Sequence, residues 1–230
     1  MAINSTYVTP KMELHYLIER NNRLLLLMEH FGTGFTVADM NITQFCAIHN
    51  INPEIFASFC NLYNGNTSDI YVPKNMDDVA QIIVFLENSH RYYLDEIYPE
   101  IKFYIHKLSE INNTDNMTLL ESFFESYMQE VSKHLEWEQK VMFPLVKSVC
   151  SGELSKEDFI HKVKRSKHHS HEDISIKLND LKNLLLKHIK LIDKNGYKRK
   201  LLASIFEFQF DLDIHSIIEE NLFYNKKINE

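Results

Sequence analysis

Apolar positions recur at steps of three and four along most of this chain, the period of amphipathic α-helices. In the first seventy residues the runs are short. Met12, Leu14, Leu17 and Ile18 follow Pro10, an apolar run resumes at 24–28, and Gly32 and Gly34 end it. Asn41 is placed to cap a helix over Ile42–His49, and Asn52-Pro53 followed by Glu54 signals another start. The polar, turn-rich stretch 65–73 reads as a linker closing a small helical module, residues 1–74. Four long amphipathic segments follow, at about 76–112, 117–149, 156–192 and 197–223. Pro99 predicts a kink or restart in the first, and Pro144 an interruption of the second. Short polar joints predict an all-α protein in which residues 75–230 form an antiparallel up-down four-helix bundle behind the N-terminal module.

Composition narrows the function. Five Gly and five Pro in 230 residues argue against a β-sandwich or barrel, and 44% apolar with 25% charged residues excludes wholesale disorder. A net charge of −7 speaks against nucleic-acid or anionic-membrane partners. The helix pair at 42–49 and 53–62 has a helix-turn-helix spacing, but residues 1–75 carry four Lys/Arg against six Asp/Glu, so an interaction or bundle-capping module is the stronger reading. Cys46, Cys60 and Cys150 form no CxxC, and no activating base accompanies Cys150. The basic run 162–169 reads as a solvated helix face. No phosphate loop, nucleophile elbow, signal-peptide pattern or membrane-length apolar run appears; no catalytic residue is assigned, and a cytoplasmic chain is expected.

The chemistry lies in the twelve histidines. A His with Glu four residues later places both side chains on one helix face. That spacing occurs at His15/Glu19, His106/Glu110, His134/Glu138, His168/Glu172 and His215/Glu219. Only two pairs are in phase with an apolar stripe: His134 and Glu138 extend Leu120, Phe124, Tyr127 and Val131, and His215 and Glu219 extend Leu201, Ile205, Phe208 and Leu212. The same 81-residue offset that relates those pairs carries His90 onto His171, each on a stripe of its own. Inward carboxylates cost several kcal/mol unless paired or metal-bound, and no Lys or Arg lies on these stripes to pair with them. His90, His134, Glu138, His171, His215 and Glu219 therefore predict a site for two non-haem irons, with carboxylates spanning both and a solvent-derived oxo or hydroxo bridge. The competing reading is a bundle of buried His and Glu paired with protein groups.

The run from His134 through Glu138 to Phe143-Pro144 resembles the second-helix signature of the hemerythrin-type (HHE) cation-binding family, and His215 to Phe223 its last-helix signature. His171 fits the third-helix position and His90 the first. A helical module ahead of such a bundle is similar to the repair-of-iron-centres proteins, di-iron proteins linked to restoring iron–sulfur clusters under nitrosative or oxidative stress. Asn112 stands where those proteins often carry a further His, with His106 out of phase; Cys46 and Cys60 are 14 residues apart where they often have adjacent cysteines. The resemblance implies a stress-response di-iron protein whose partners are O2 or NO and iron–sulfur proteins. The alternative is an O2- or NO-binding or sensing protein that signals through its N-terminal module. Oligomeric state is open.

Overall fold

The cap signals of the N-terminal module form their helices. Asn41 and Gln44 close a reciprocal capping box at the start of α3 (Ile42–His49), and Asn52 caps Glu54 N–H ahead of α4 (Pro53–Tyr63). Two short helices precede them, α1 (Leu14–Arg20) and α2 (Leu24–His30), and Gly32 ends the second turn with φ +69°. The computed structural model describes residues 7–165, 171–193 and 195–224; the side chains at 156, 160, 163–165, 171–173 and 224 lie outside that description. Among the described residues there is no strand, only an isolated bridge between Glu13 and Asn41.

The long segments become α5 (Met76–Arg91), α6 (Tyr98–Asn112), α7 (Asp115–Trp137), α8 (Phe143–Cys150), α9 (Lys156–Arg165), α10 (His171–Asn183) and α11 (Tyr197–Tyr224). Pro99 and Pro144 stand in the first turns of α6 and α8, where the sequence expects a kink or restart and an interruption. Each follows a π-helical stretch, Tyr92–Ile97 before Pro99 and Glu138–Met142 before Pro144. A helical proline lacks the N–H that its i−4 carbonyl expects, and its ring crowds that carbonyl. Here the preceding aromatic bonds one residue further back, Tyr98 N–H to Tyr93 O and Phe143 N–H to Glu138 O, and the helix continues through a widened turn.

The chain divides into two compact units. The first comprises residues 1–89, 144–159 and 217–230. Its core contains Leu14, Leu24, Leu27, Phe45, Phe56 and Phe59, and Phe31 meets Phe56 at 5.1 Å and Phe85 at 4.9 Å. α4 is buried at every position from Ile55 to Tyr63, so it offers no free face of the kind a groove-reading helix presents. Burial pushes the Cys46 thiol up to about 12, and burial together with neighbouring Cys46 pushes Cys60 higher still, which suppresses thiolate chemistry there. Buried Asp78 anchors the linker: it accepts hydrogen bonds from Asn52 Nδ2 (2.9 Å), Tyr71 Oη (2.8 Å) and Lys74 N (2.9 Å).

The second unit comprises residues 90–143 and 160–216. Apolar stripes form its interior: Ile101, Ile105 and Leu108 of α6, with Ile105 buried where the sequence pattern expects Tyr104; Leu120, Phe124, Tyr127 and Val131 of α7; Ile174, Leu178 and Leu181 of α10; Leu201, Ile205, Phe208 and Leu212 of α11. Each such side chain contributes about 1.5–3 kcal/mol by leaving water. Hydrogen bonds set the register, among them Tyr98 Oη to Glu125 (2.6 Å) and an ion pair between Lys177 and Glu130. Asn112 exchanges hydrogen bonds with the Ile192 backbone, receiving from its N–H at 2.8 Å and donating to its carbonyl at 3.2 Å. That side chain holds a loop.

Candidate metal centre

His90 lies in the last turn of α5, directly before the first π-helical stretch, and Glu138 opens the second. His134 precedes Glu138 by one turn near the end of α7, and His215 lies within α11. Exposures of 0% for His90, 4% for His134, 0% for Glu138 and 1% for His215 put all four out of solvent. Their heads converge. His90 Nε2 stands 3.1 Å from Glu138 Oε2 and 3.3 Å from His215 Nε2, and His215 Nε2 stands 3.7 Å from the same oxygen. The other oxygen, Oε1, faces His134 Nε2 at 2.5 Å. One carboxylate thus turns each oxygen to a different imidazole set.

These distances fit a cation. Ligand atoms each about 2.1 Å from a metal and 90–110° apart are about 3.0–3.4 Å from one another, close to the separations within the His90–Glu138–His215 group. The donor set is borderline nitrogen plus hard oxygen, which suits first-row divalent ions. Among the described residues His90 Nδ1 has no hydrogen-bond partner, so only the Nε2 side of that ring is engaged. Aromatic rings surround the group: Phe143 stacks on His90 at 5.6 Å, Trp137 on His134 at 6.3 Å, and Tyr93 meets His215 edge-on at 5.8 Å. In that dry setting a lone carboxylate would cost several kcal/mol, which a bound cation offsets.

Two further sequence candidates are Glu219 and His171. Glu219 is buried, at 1% exposure, and shares a helix face with His215 one turn earlier in α11. His171 begins α10, but its side chain lies outside the described residues, as do His168 and the side chain of Glu172. Four other histidines among the described residues go elsewhere. His106 is 64% exposed and pairs with Glu110 at 3.4 Å; His15 lies near Glu13; His49 rests against Phe45; and His188 is exposed. Sequence reasoning missed a further buried pair, Tyr93 Oη donating to Asp211 Oδ2 at 2.7 Å. Its one signal was Asp211 standing four residues before His215.

A helical bundle that buries imidazoles around a shared carboxylate has the architecture of a carboxylate–histidine metal-binding protein. Residues 81–203 match the family model of the hemerythrin HHE cation-binding domain, and the chain belongs to that family. The match takes in His90, His134, Glu138 and His171; the segment with His215 and Glu219 follows it. No curated protein and no solved structure matches the chain. No helix among the described residues is long and apolar enough to cross a membrane.

Proposed function

We propose that this chain is a non-haem di-iron protein that acts in iron–sulfur cluster repair under nitrosative or oxidative stress. The observation that carries the reading is Glu138, whose two oxygens face His90/His215 and His134 respectively, as a carboxylate between two metals would. In this reading His90 and His215 hold one iron, His134 holds the second, and Glu138 spans both. The 81-residue repeat adds His171 to the second iron and Glu219 as a second carboxylate. The iron pair would supply redox chemistry and a coordination position for O2 or NO. The protein's part is to hold imidazoles and carboxylate in fixed positions and to exclude water with Phe143, Trp137 and Tyr93. The repair assignment is supported by the helical module ahead of the bundle, and the partners it implies are iron–sulfur proteins, in the cytoplasm.

The alternative is a gas-binding or sensing protein that keeps its iron and signals through the N-terminal module. The buried, aromatic-walled group favours it, since such surroundings retain metal. Mixing the iron-loaded chain with an apo iron–sulfur protein and a cluster-assembly mixture separates the two. Repair predicts iron leaving this chain and restored cluster absorbance. Sensing predicts iron retained and an optical spectrum that shifts on adding NO.

A further inference from the structure

The α11 face that carries His215 continues back through Asp211 and Glu207, one turn apart each. Both carboxylates are held by phenols from the π-helical stretch that follows His90. Tyr93 Oη donates to buried Asp211 at 2.7 Å, and Tyr92 Oη donates to exposed Glu207 at 2.6 Å. A regular turn rotates about 100° per residue and would point consecutive side chains apart. Both tyrosines, consecutive at the start of the widened turn, nonetheless reach the same helix. The Tyr93 ring also meets His215 edge-on at 5.8 Å and rests on Phe208 at 5.2 Å, which fixes its position.

Asp211 is 1% exposed and one helical turn from a residue of the His90–Glu138–His215 group. Coulomb energy falls only as the inverse of distance, and in a dry interior it is weakly screened, so a charge there acts on a cation it never touches. Resting on the metal reading above, we propose that Asp211 is an outer carboxylate of the metal site. It ligates nothing; it supplies fixed negative charge that raises cation affinity, and it accepts the Tyr93 hydrogen bond without depending on it for its place in the helix.

The test is Co(II) titration into the full-length apo chain by calorimetry, with the Fe(III)/Fe(II) potential measured by spectroelectrochemistry. Asp211→Asn keeps the shape and removes the charge, so Co(II) should bind about tenfold more weakly or worse and the iron potential should move positive. Tyr93→Phe keeps the ring and the charge, so affinity should stay within about threefold while apo-state melting falls. An Asp211→Asn affinity within about twofold of wild type, or a weaker affinity with an unmoved potential, would overturn the proposal by reducing Asp211 to packing. So would a loss in Tyr93→Phe as large as in Asp211→Asn. If Asp211→Asn fails to fold by circular dichroism, Asp211→Glu decides: it retains the charge and should bind within about threefold, and a tenfold loss contradicts the proposal. Failure of the wild-type chain to bind Co(II) would defeat the metal reading itself, and this inference with it. Wild-type binding with an unaltered Asp211→Asn defeats the inference alone.

Discussion

The Nε2 atoms of His90 and His215, 125 residues apart in sequence, face each other at 3.3 Å in a dry interior. At most one proton can lie between two imidazole nitrogens so placed, and Glu138 Oε2 completes the triangle at 3.1 and 3.7 Å. A cation held by all three satisfies each lone pair at once. The variants below follow from that arrangement and from the hydrogen bonds and widened turns around it.

Glu138→Ala should lose metal more completely than His90→Ala. The glutamate offers oxygens to both imidazole sets, whereas each imidazole belongs to one, and water can fill a single vacated position. Metal analysis after gel filtration should find at least one iron per chain in His90→Ala and none in Glu138→Ala. Stability of the apo forms should run the other way. Removing a buried carboxylate should raise the apo melting midpoint, by the equivalent of about 1–3 kcal/mol less the cavity cost. A lower midpoint would mean that the protein's own groups already compensate the charge.

His15→Ala, His49→Ala, His106→Ala and His188→Ala should keep wild-type metal content and melt within about 0.5 kcal/mol of wild type, His49 aside, whose ring packs on Phe45 at 4.5 Å. Loss of metal in any of the four would show that the ligand set is wrong.

Pro144→Ala should trade function for stability. Alanine restores the N–H that a regular turn needs, so the helix gains about 1–3 kcal/mol of propensity. Closing the π-helical stretch that starts at Glu138 would rotate that residue away from His90 and His215. Thermal melting should rise while Co(II) affinity falls by about tenfold or more. Unchanged affinity would show that Glu138 is positioned independently of the widened turn.

Asp78 sets an acid-dependent part of the first unit's stability. Burial opposes its charge, yet the Lys74 N–H, the Asn52 amide and the Tyr71 hydroxyl hold the carboxyl below its usual range. A depressed carboxylate stabilises the fold above its unfolded pKa of about 3.9, and that contribution disappears as pH falls through the folded value. Asp78→Ala should therefore cost about 2–4 kcal/mol at pH 7, since three donors lose their acceptor. The gap to wild type should narrow below about pH 4 in denaturant titrations. A gap constant from pH 7 to pH 3 would mean that packing and not charge is lost.

How much of this was legible in the sequence follows from what each feature depends on. The burial of His134, Glu138, His215, Glu219 and His90 was legible because helical phase alone sets which side faces the core. The Asn41 and Asn52 caps were legible because their chemistry is local. The kink or restart at Pro99 and the interruption at Pro144 were legible from the missing N–H; that each takes the form of a widened turn depends on packing around the aromatics at 98 and 143. The Tyr93–Asp211 bond spans 118 residues and depends on tertiary register, which no local pattern encodes. The helix-turn-helix spacing was visible, but the burial of α4 from Ile55 to Tyr63 was not.

The di-iron reading is tested most directly by the metal content and optical spectrum of the full-length chain purified aerobically from iron-replete cells. It predicts about two irons per chain, with a ferric ligand-to-metal charge-transfer band that disappears in Glu138→Ala. One zinc per chain, or no metal at all, would contradict it.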